Sequence, residues 1–193
     1  MTSVRFWFDP SCYWSWRAAR WLMDAAAQRD LSVDWRSFSL TVLYGDDMNP
    51  EWRSMLETSH RALRIVEALR QKDRSSDAAG FYTALGTAVH ENGQPMTEAT
   101  VREAAETSGT ADVIDAFDDA SWDEHIQASF EEAMASAGPD IGSPVLELAG
   151  AARGIYGPVF TEVPPQTEAG ELWDAIARLV STPSFLELKR GRP

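Results

Sequence analysis

The first forty residues contain two strand-like segments with one helix-like segment between them. Residues 4–8 are apolar and rich in β-forming types, and residues 31–40 alternate in part between apolar and polar positions. The segment from Tyr13 to about Arg29 has the apolar spacing of an amphipathic helix. A strand–helix–strand unit of this length predicts two parallel strands joined by a right-handed crossover. The chain therefore begins as a mixed α/β protein.

Cys12 is the only cysteine of the chain and lies directly before the helix-like segment. It follows a turn at residues 9–11, so its sulfur is expected to face the unpaired backbone amides of a helix N-terminus. These amides and the positive end of the helix dipole favour a thiolate, which predicts a lowered pKa for Cys12. The run Cys12-Tyr13-Trp14-Ser15 has the spacing of a redox Cys-x-x-Cys motif with a hydroxyl in place of the second sulfur. We expect Ser15 to donate a hydrogen bond to the thiolate.

Charge and composition narrow the classes of partner. The 193 residues include 17 Lys and Arg against 30 Asp and Glu, a formal net charge of −13, which argues against nucleic acid and anionic membranes. No run approaches the ~20 apolar residues that span a bilayer, and charged residues interrupt any signal-peptide core. A single cysteine excludes an internal disulfide and a multi-thiolate metal site, and the three histidines lack metal-ligand spacing. We expect a cytoplasmic protein without a metal.

The middle of the chain, from about residue 49 to residue 138, has a helical pattern throughout. Thr100-x-x-Glu103 and Ser121-x-x-Glu124 are typical of capping boxes, which predict helix starts at these positions. Gly109 and Gly138 predict helix ends. The pattern therefore indicates four or five consecutive helices in one block.

Strand patterns return at residues 144–148 and 154–156, and residues 168–181 are predicted to form a last helix. The order is then β-α-β, a helical insertion, and β-β-α. This order resembles the thioredoxin fold, and the helical block lies where DsbA and its relatives carry theirs. We therefore predict an α/β thioredoxin fold of the DsbA-like class. The predicted division is a thioredoxin-like domain at residues 1–45 and 139–193 and a helical insertion, or lid, at residues 46–138.

Several motifs make the resemblance more specific. Residues 6–16 have the pattern Phe-Trp-Phe-Asp-Pro-x-Cys-x-Trp-x-Trp, and residues 141–144 are Ile-Gly-Ser-Pro. Together with residues 82–86, 156–159 and 185–190, these segments resemble the mycothiol-dependent nitroreductases, a DsbA-like family of actinobacteria. The resemblance covers essentially the whole chain, including the insertion.

The chain departs from the family pattern at the cysteine motif itself. Where the family has Cys-Pro-Trp-Cys, Tyr13 replaces the proline and Ser15 replaces the resolving cysteine. Because Cys12 has no internal partner, a second, external thiol must release whatever it binds. The resemblance implies that this thiol is mycothiol or another low-molecular-weight thiol. It also implies a small electrophilic or disulfide substrate, and it leaves room for a reducing redoxin as a partner.

The resemblance also assigns residues to the site. In thioredoxin-like folds the residue before a cis-proline offers its backbone to an extended thiol beside the active sulfur. The resemblance places that bond between Ser143 and Pro144. We therefore expect Ser143 and Pro144 to hold the thiol, together with Tyr13 and Trp14. Residues expected to line an apolar substrate pocket are Tyr44, Trp52 and His90.

Two other functions remain open from the same residues. Kappa-class glutathione transferases and 2-hydroxychromene-2-carboxylate isomerases resemble this fold and activate a bound thiol with a serine-type hydroxyl. In that case Ser15 or Ser11 would hold the thiol, and Cys12 would be dispensable. The third hypothesis is a binding protein that retains the fold without redox chemistry and has an ordinary thiol pKa at Cys12.

Overall fold

The computed structural model describes residues 1–191 and contains a four-stranded sheet surrounded by helices. Strand β1 (Thr2–Phe8), helix α1 (Tyr13–Arg29) and strand β2 (Leu31–Ser37) form the first unit. β1 and β2 pair in parallel along the whole of both strands. The parallel strand–helix–strand unit predicted from the sequence is therefore present.

A block of helices follows β2 before the sheet resumes. Its α-helices are α2 (Leu40–Tyr44), α3 (Arg53–Gln71), α4 (Ser75–Gly86), α5 (Glu98–Thr107) and α6 (Asp123–Ala137). Short 3-10 segments lie at Gly45–Asp47, Ala111–Asp118 and Ala120–Trp122, and a π-helical turn (Thr87–Glu91) continues α4. Within residues 1–191, no helix combines the length and the apolar character needed to cross a membrane. The block thus has the helical character expected of the insertion.

The sheet is completed by β3 (Val145–Leu148) and β4 (Ile155–Tyr156), and the strand order is β2-β1-β3-β4. β3 pairs antiparallel with β1, and β4 pairs antiparallel with β3. A 3-10 turn (Gln166–Glu168) leads into the last helix, α7 (Ala169–Val180), which packs on α1 through a hydrogen bond of 3.2 Å from Trp21 Nε1 to the Ala169 carbonyl. The order of elements is the one predicted. The division into a thioredoxin-like domain (residues 1–45 and 139–193) and an insertion (residues 46–138) stays a proposal. Residues 192 and 193 lie outside the part of the chain that the structure describes.

Several element boundaries differ from the sequence prediction. β2 ends at Ser37 instead of continuing to residue 40, because Ser39 caps α2 by accepting a hydrogen bond from the Val42 amide. The two predicted capping boxes are also wrong. Thr97 caps α5, which places Thr100 inside the helix, and Asp119 caps a 3-10 turn that contains Ser121. The predicted helix ends are confirmed at two glycines of positive φ, Gly109 and Gly138.

β1 lies between two cores because its side chains alternate between the faces of the sheet. Phe6 and Phe8 enter the larger core together with side chains of α1, α3 and α4. Trp7 points to the other face and packs with Ala133 of α6. The end of β1 is therefore held from both sides. This matters for function because the next residues form the turn that leads to Cys12.

Candidate active site

Cys12 occupies the N-cap position of α1, directly after the turn that ends β1. Its amide donates a hydrogen bond of 3.0 Å to the Asp9 carbonyl, and its own carbonyl accepts one of 3.0 Å from the Trp16 amide. The backbone is extended at Cys12, as at most N-caps. The side chain is only 9% exposed. The sulfur thus lies at a helix N-terminus, as the sequence predicts, but in a buried setting.

The loop that carries Ser143 and Pro144 lies against this sulfur. The Ser143–Pro144 peptide bond is cis. The Cys12 thiol donates a hydrogen bond of 3.4 Å to the Ser143 carbonyl. The Ser143 hydroxyl accepts a hydrogen bond of 3.0 Å from the Asp9 amide and lies 2.5 Å from the Ser15 hydroxyl. Cys12, Ser15 and Ser143, widely separated in the sequence, therefore form one hydrogen-bonded cluster.

Asp9 is a structural centre of the site, although its sequence pattern indicates only a turn. Its carboxylate is fully buried. Oδ1 accepts hydrogen bonds from the Ser11 amide at 2.8 Å, the Ser11 hydroxyl at 2.6 Å and the Ser59 hydroxyl at 2.5 Å. Oδ2 accepts one of 2.8 Å from the Leu40 amide. An Asp-x-Ser turn signals the local pair, whereas the partners from α2 and α3 become neighbours only in the folded chain.

The pKa of Cys12 differs in direction from the sequence prediction. Burial raises the pKa of the thiol above its ordinary value, and the negative charge of Asp9 raises it further. Hydrogen bonds from the Ser15 hydroxyl and from the Ser15 and Trp14 amides lower it but do not reverse the shift. The predicted lowering of the pKa is therefore wrong, because the thiolate loses more hydration than these donors replace. At neutral pH the sulfur is a thiol that donates to Ser143.

A cavity of about 180 Å³ opens beside the Cys12 turn. Tyr13 follows the cysteine directly, is 45% exposed, and has the Arg17 guanidinium 3.8 Å from the centre of its ring. Trp14 is half-buried and lies 5.4 Å from the same guanidinium. Aromatic faces and a cation therefore line this side of the site. The lining residues are Tyr13, Trp16, Arg17, His90, Glu91, Glu162 and Val163.

His90 joins the helical block to the cysteine turn. It lies on the π-helical turn Thr87–Glu91, a type of helix distortion that is frequent at functional sites. Its Nε2–H donates a hydrogen bond of 2.8 Å to the Pro10 carbonyl, and its ring stacks on Trp16 at 5.9 Å. Burial lowers the pKa of His90, so the ring is neutral at pH 7. The structure places His90 in the cavity as a wall with Nδ1 as its remaining acceptor.

Tyr44 and Trp52 lie apart from this cavity. They pair with each other at 6.4 Å between ring centres, at the end of α2 and just before α3. Both are exposed, Trp52 by 48%. Neither lines the cavity beside Tyr13 and His90. Their role in a substrate pocket stays a prediction.

The cavity offers one apolar face and several polar groups to a ligand. The exposed ring of Tyr13 supplies the apolar face. The Arg17 guanidinium supplies donors, and the carboxylates of Glu91 and Glu162 supply acceptors for hydroxyl groups.

Within the described residues, no group of three or more His, Cys, Asp or Glu side chains is arranged to hold a metal ion.

The fold is similar to that of several solved DsbA-like proteins. The cytosolic disulfide reductase DsbM from Pseudomonas aeruginosa superposes with a TM-score of 0.62 at 17% identity, over 92% of this chain and 99% of that chain. The probable DsbA oxidoreductase SCO1869 from Streptomyces coelicolor superposes with a TM-score of 0.56 at 19% identity, over 92% of this chain and 91% of that chain. These likenesses confirm the predicted DsbA-like thioredoxin fold.

Sequence comparison extends the likeness from fold to family. The uncharacterized protein Rv2286c of Mycobacterium tuberculosis is 29% identical over 197 residues, covering 100% of this chain and 83% of that protein. Residues 11–190 match the family described as Rv2466c-like, mycothiol-dependent nitroreductase Rv2466c. That match includes the cysteine motif, the helical block and the cis-proline loop. The chain therefore belongs to the Rv2466c-like family of mycothiol-dependent nitroreductases.

Proposed function

We propose that this protein is a monothiol oxidoreductase in which Cys12 is the nucleophile and an external thiol, mycothiol, replaces the missing second cysteine. One observation carries the proposal: the only thiol of the chain lies at a helix N-terminus, 3.4 Å from the Ser143 carbonyl of the cis-proline loop. A buried thiol without a function has no need of two serine hydroxyls around it. A hydrophobic residue would pack there at lower cost.

The hydroxyls form a relay that ends on the sulfur. The Asp9 amide donates to the Ser143 hydroxyl, which leaves the Ser143 proton for the Ser15 oxygen. Ser15 is then free to donate its own proton to Cys12, in agreement with its lowering of the Cys12 pKa. Each donor is thus used once, and the chain of hydrogen bonds favours negative charge on the sulfur.

Ionisation of Cys12 also prepares the docking surface. The thiolate can no longer donate to the Ser143 carbonyl, so this acceptor becomes available to an N–H group of an extended substrate. The Cys12 thiolate attacks one sulfur of a disulfide substrate in line, and the other half leaves as a thiolate. Mycothiol, when bound, supplies the second sulfur that the chain lacks. Tyr13, Trp14 and Pro144 would hold it against the sulfur.

The charges of the cavity support a hydroxyl-rich thiol over one with several carboxylates. Two carboxylates, Glu91 and Glu162, face the single guanidinium of Arg17 in the cavity. This arrangement disfavours an acidic peptide thiol such as glutathione and suits a sugar-linked thiol. The cytosolic location named for DsbM supports a cytoplasmic setting, where a reducing redoxin can regenerate the thiol.

The test is incubation of the reduced protein with mycothiol disulfide, followed by intact-mass measurement. We expect one mycothiol adduct on the wild type and none on Cys12→Ser. A nitroaromatic or quinone electrophile with mycothiol as reductant then tests turnover. An unmodified wild-type mass after long incubation at alkaline pH would remove the redox function.

A second candidate is a thiol-dependent transferase or isomerase, and the raised pKa of Cys12 is the observation that favours it. In this case Ser15 holds the thiol of the cofactor, and that thiol performs the addition. Ser11 is unsuited to the role, because its amide and hydroxyl both bind Asp9. Retained turnover in Cys12→Ser would favour this candidate, whereas lost turnover favours the redox enzyme. If neither the wild type nor Cys12→Ser acts on a panel of electrophiles, the third hypothesis, a redox-inactive binding protein, would be supported.

A further inference from the structure

Tyr82 carries a buried hydroxyl that has no hydrogen-bond partner within residues 1–191. The residue lies on α4 and is 2% exposed. An unpaired hydroxyl destabilises a folded protein, because it loses its hydrogen bonds to water and gains none in return. Phenylalanine would fill the same space without that loss. A buried orphan hydroxyl therefore calls for an explanation in function.

The ring of Tyr82 lies between the two segments that hold Cys12. It stacks on Phe8 at 3.9 Å between ring centres and contacts the ring of Trp16 edge-on at 5.6 Å. Phe8 is the last residue of β1, and the Trp16 amide donates to the Cys12 carbonyl. The phenol is thus fixed within the layer directly beneath the cysteine turn.

The ionisable groups that act on the phenol belong to the active site. Burial raises the pKa of Tyr82 well above its ordinary value, and the charges of Cys12 and Asp9 raise it further. Tyr82 consequently keeps its proton at neutral pH. It remains a hydrogen-bond donor beside a sulfur that becomes negative.

We propose that Tyr82 is a thiolate-stabilising residue: its hydroxyl donates a hydrogen bond to the Cys12 sulfur once the thiol has lost its proton. In the resting thiol the Cys12 proton points to the Ser143 carbonyl, and a neutral sulfur is a weak acceptor. This explains why the phenol is unpaired. The thiolate repels the Ser143 carbonyl and turns towards donors. The Ser15 hydroxyl and the Ser15 and Trp14 amides are three of them, and Tyr82 is a fourth. The Cys12 proton passes to solvent, and Tyr82 keeps its own.

This inference rests on the proposed role of Cys12 as the nucleophile. It adds a second side-chain donor to a site in which Ser15 is the side-chain donor visible in the sequence. It also explains how a buried sulfur with a raised pKa supports a thiolate in the reactive state. The Tyr82 hydroxyl is then unpaired only in the resting thiol state and gains its hydrogen-bond partner in the thiolate state.

The test compares the pH dependence of Cys12 alkylation by iodoacetamide in wild type and Tyr82→Phe. We expect the apparent pKa of Cys12 to rise and the alkylation rate below that pKa to fall about three- to ten-fold, since one pKa unit is a factor of ten. The thermal midpoint should stay equal or increase, because the unpaired hydroxyl is gone. A purely structural tyrosine would lower the midpoint when replaced, or leave it equal, and would leave the Cys12 pKa as it was. Thr83→Val is the matched control, since it removes a neighbouring hydroxyl of α4 that bonds its own helix and Met23.

The outcomes separate the inference from the proposed function. An equal Cys12 pKa in wild type and Tyr82→Phe overturns the role of Tyr82, while a reactive wild type keeps Cys12 as nucleophile. A wild type that forms no mycothiol adduct overturns the proposed function itself. If Tyr82→Phe does not fold, 3-fluorotyrosine placed at position 82 serves instead. Its more acidic phenol is a stronger donor, so the Cys12 pKa should fall, and an unchanged value would overturn the inference.

Discussion

The two sides of Cys12 differ in construction. On the inner side, Asp9, Ser15 and Ser143 are fully or almost fully buried and bonded to one another or to the same turn. On the outer side, Tyr13 and Arg17 border an open cavity and contact each other through a ring face and a cation. Under the proposed function, the inner side sets the protonation of the sulfur and the outer side binds the thiol that reacts with it. Substitutions on the two sides should therefore change different measurements.

The largest effect is expected from Asp9→Asn on the inner side. One oxygen of Asp9 accepts three hydrogen bonds and the other accepts one, so an amide NH₂ group would face a donor in either orientation. The free energy of unfolding should fall by about 3 kcal/mol, because buried donors to a charged acceptor are left unpaired. Denaturation with guanidinium measures this change.

Asp174→Asn is the matched control for Asp9→Asn. Asp174 also accepts several hydrogen bonds, from Arg29, but at the surface. Its replacement should change stability far less, because water replaces the lost partner. Equal losses of unfolding free energy in the two variants would mean that the buried bonds of Asp9 contribute no more than the surface bonds of Asp174.

Gly86→Ala tests the wall that the two sides share. A Cβ atom at Gly86 would lie 2.2 Å from the Trp16 ring, which is held between Tyr82 on the inner side and His90 on the outer side. The ring has no room to turn, so we expect a loss of about 1–3 kcal/mol in unfolding free energy. Gly80→Ala in the same helix has open space around it and should gain about 0.5–1 kcal/mol. An unchanged stability in Gly86→Ala would show that the Trp16 ring can move to accommodate the added methyl group.

Ser15→Ala should change the chemistry of the sulfur with little change in binding. Because the Ser15 hydroxyl lowers the Cys12 pKa, its loss moves that pKa further upward. Alkylation of the wild type should increase with pH through and beyond the range of a free cysteine. In Ser15→Ala the same curve should shift to higher pH, with about a tenfold lower rate at pH 7 for each pKa unit. A superimposable pH profile would exclude Ser15 from the relay.

Arg17→Ala should change binding and leave the Cys12 pKa unchanged, and its effect should be the smallest. The guanidinium covers Tyr13 and donates to the Phe160 carbonyl at 3.1 Å, and it is not among the groups that shift the Cys12 pKa. We expect the KM for mycothiol disulfide to increase about threefold through the loss of one partly buried donor. The alkylation profile should match that of the wild type. A shifted profile would mean that the outer side also controls protonation.

The sequence alone predicts the parts of the site that depend on local order. Cys12 is recognisable from its position between a strand and a helix, and Ser15 from the spacing of the motif. Ser143 and Pro144 follow from the family resemblance. The burial of the sulfur does not, because it depends on side chains from distant helices that cover the turn. For this reason the direction of the Cys12 pKa is mispredicted.

Asp9 and Tyr82 illustrate what sequence patterns omit. Asp9 has the appearance of a turn residue, and its contacts to Ser59 and Leu40 exist only after α2 and α3 have packed. Tyr82 resembles any aromatic residue on the buried face of a helix. Its unpaired hydroxyl is a property of three-dimensional placement and leaves no trace in periodicity or spacing. Tyr44 and Trp52 show the opposite error. Their aromatic character predicts a place in the substrate pocket, but they do not line the cavity beside Tyr13 and His90.

The hydrogen bond from the Cys12 thiol to the Ser143 carbonyl has a consequence for oxidative damage. Peroxide reacts with thiolates, so a buried and protonated sulfur is oxidised slowly. A chain with one cysteine cannot trap a sulfenic acid as an internal disulfide, and oxidation beyond the sulfenic acid is irreversible without a repair enzyme. Under the proposed function, the resting bond therefore protects the sulfur: the thiol stays protonated and unreactive until a substrate binds the same carbonyl.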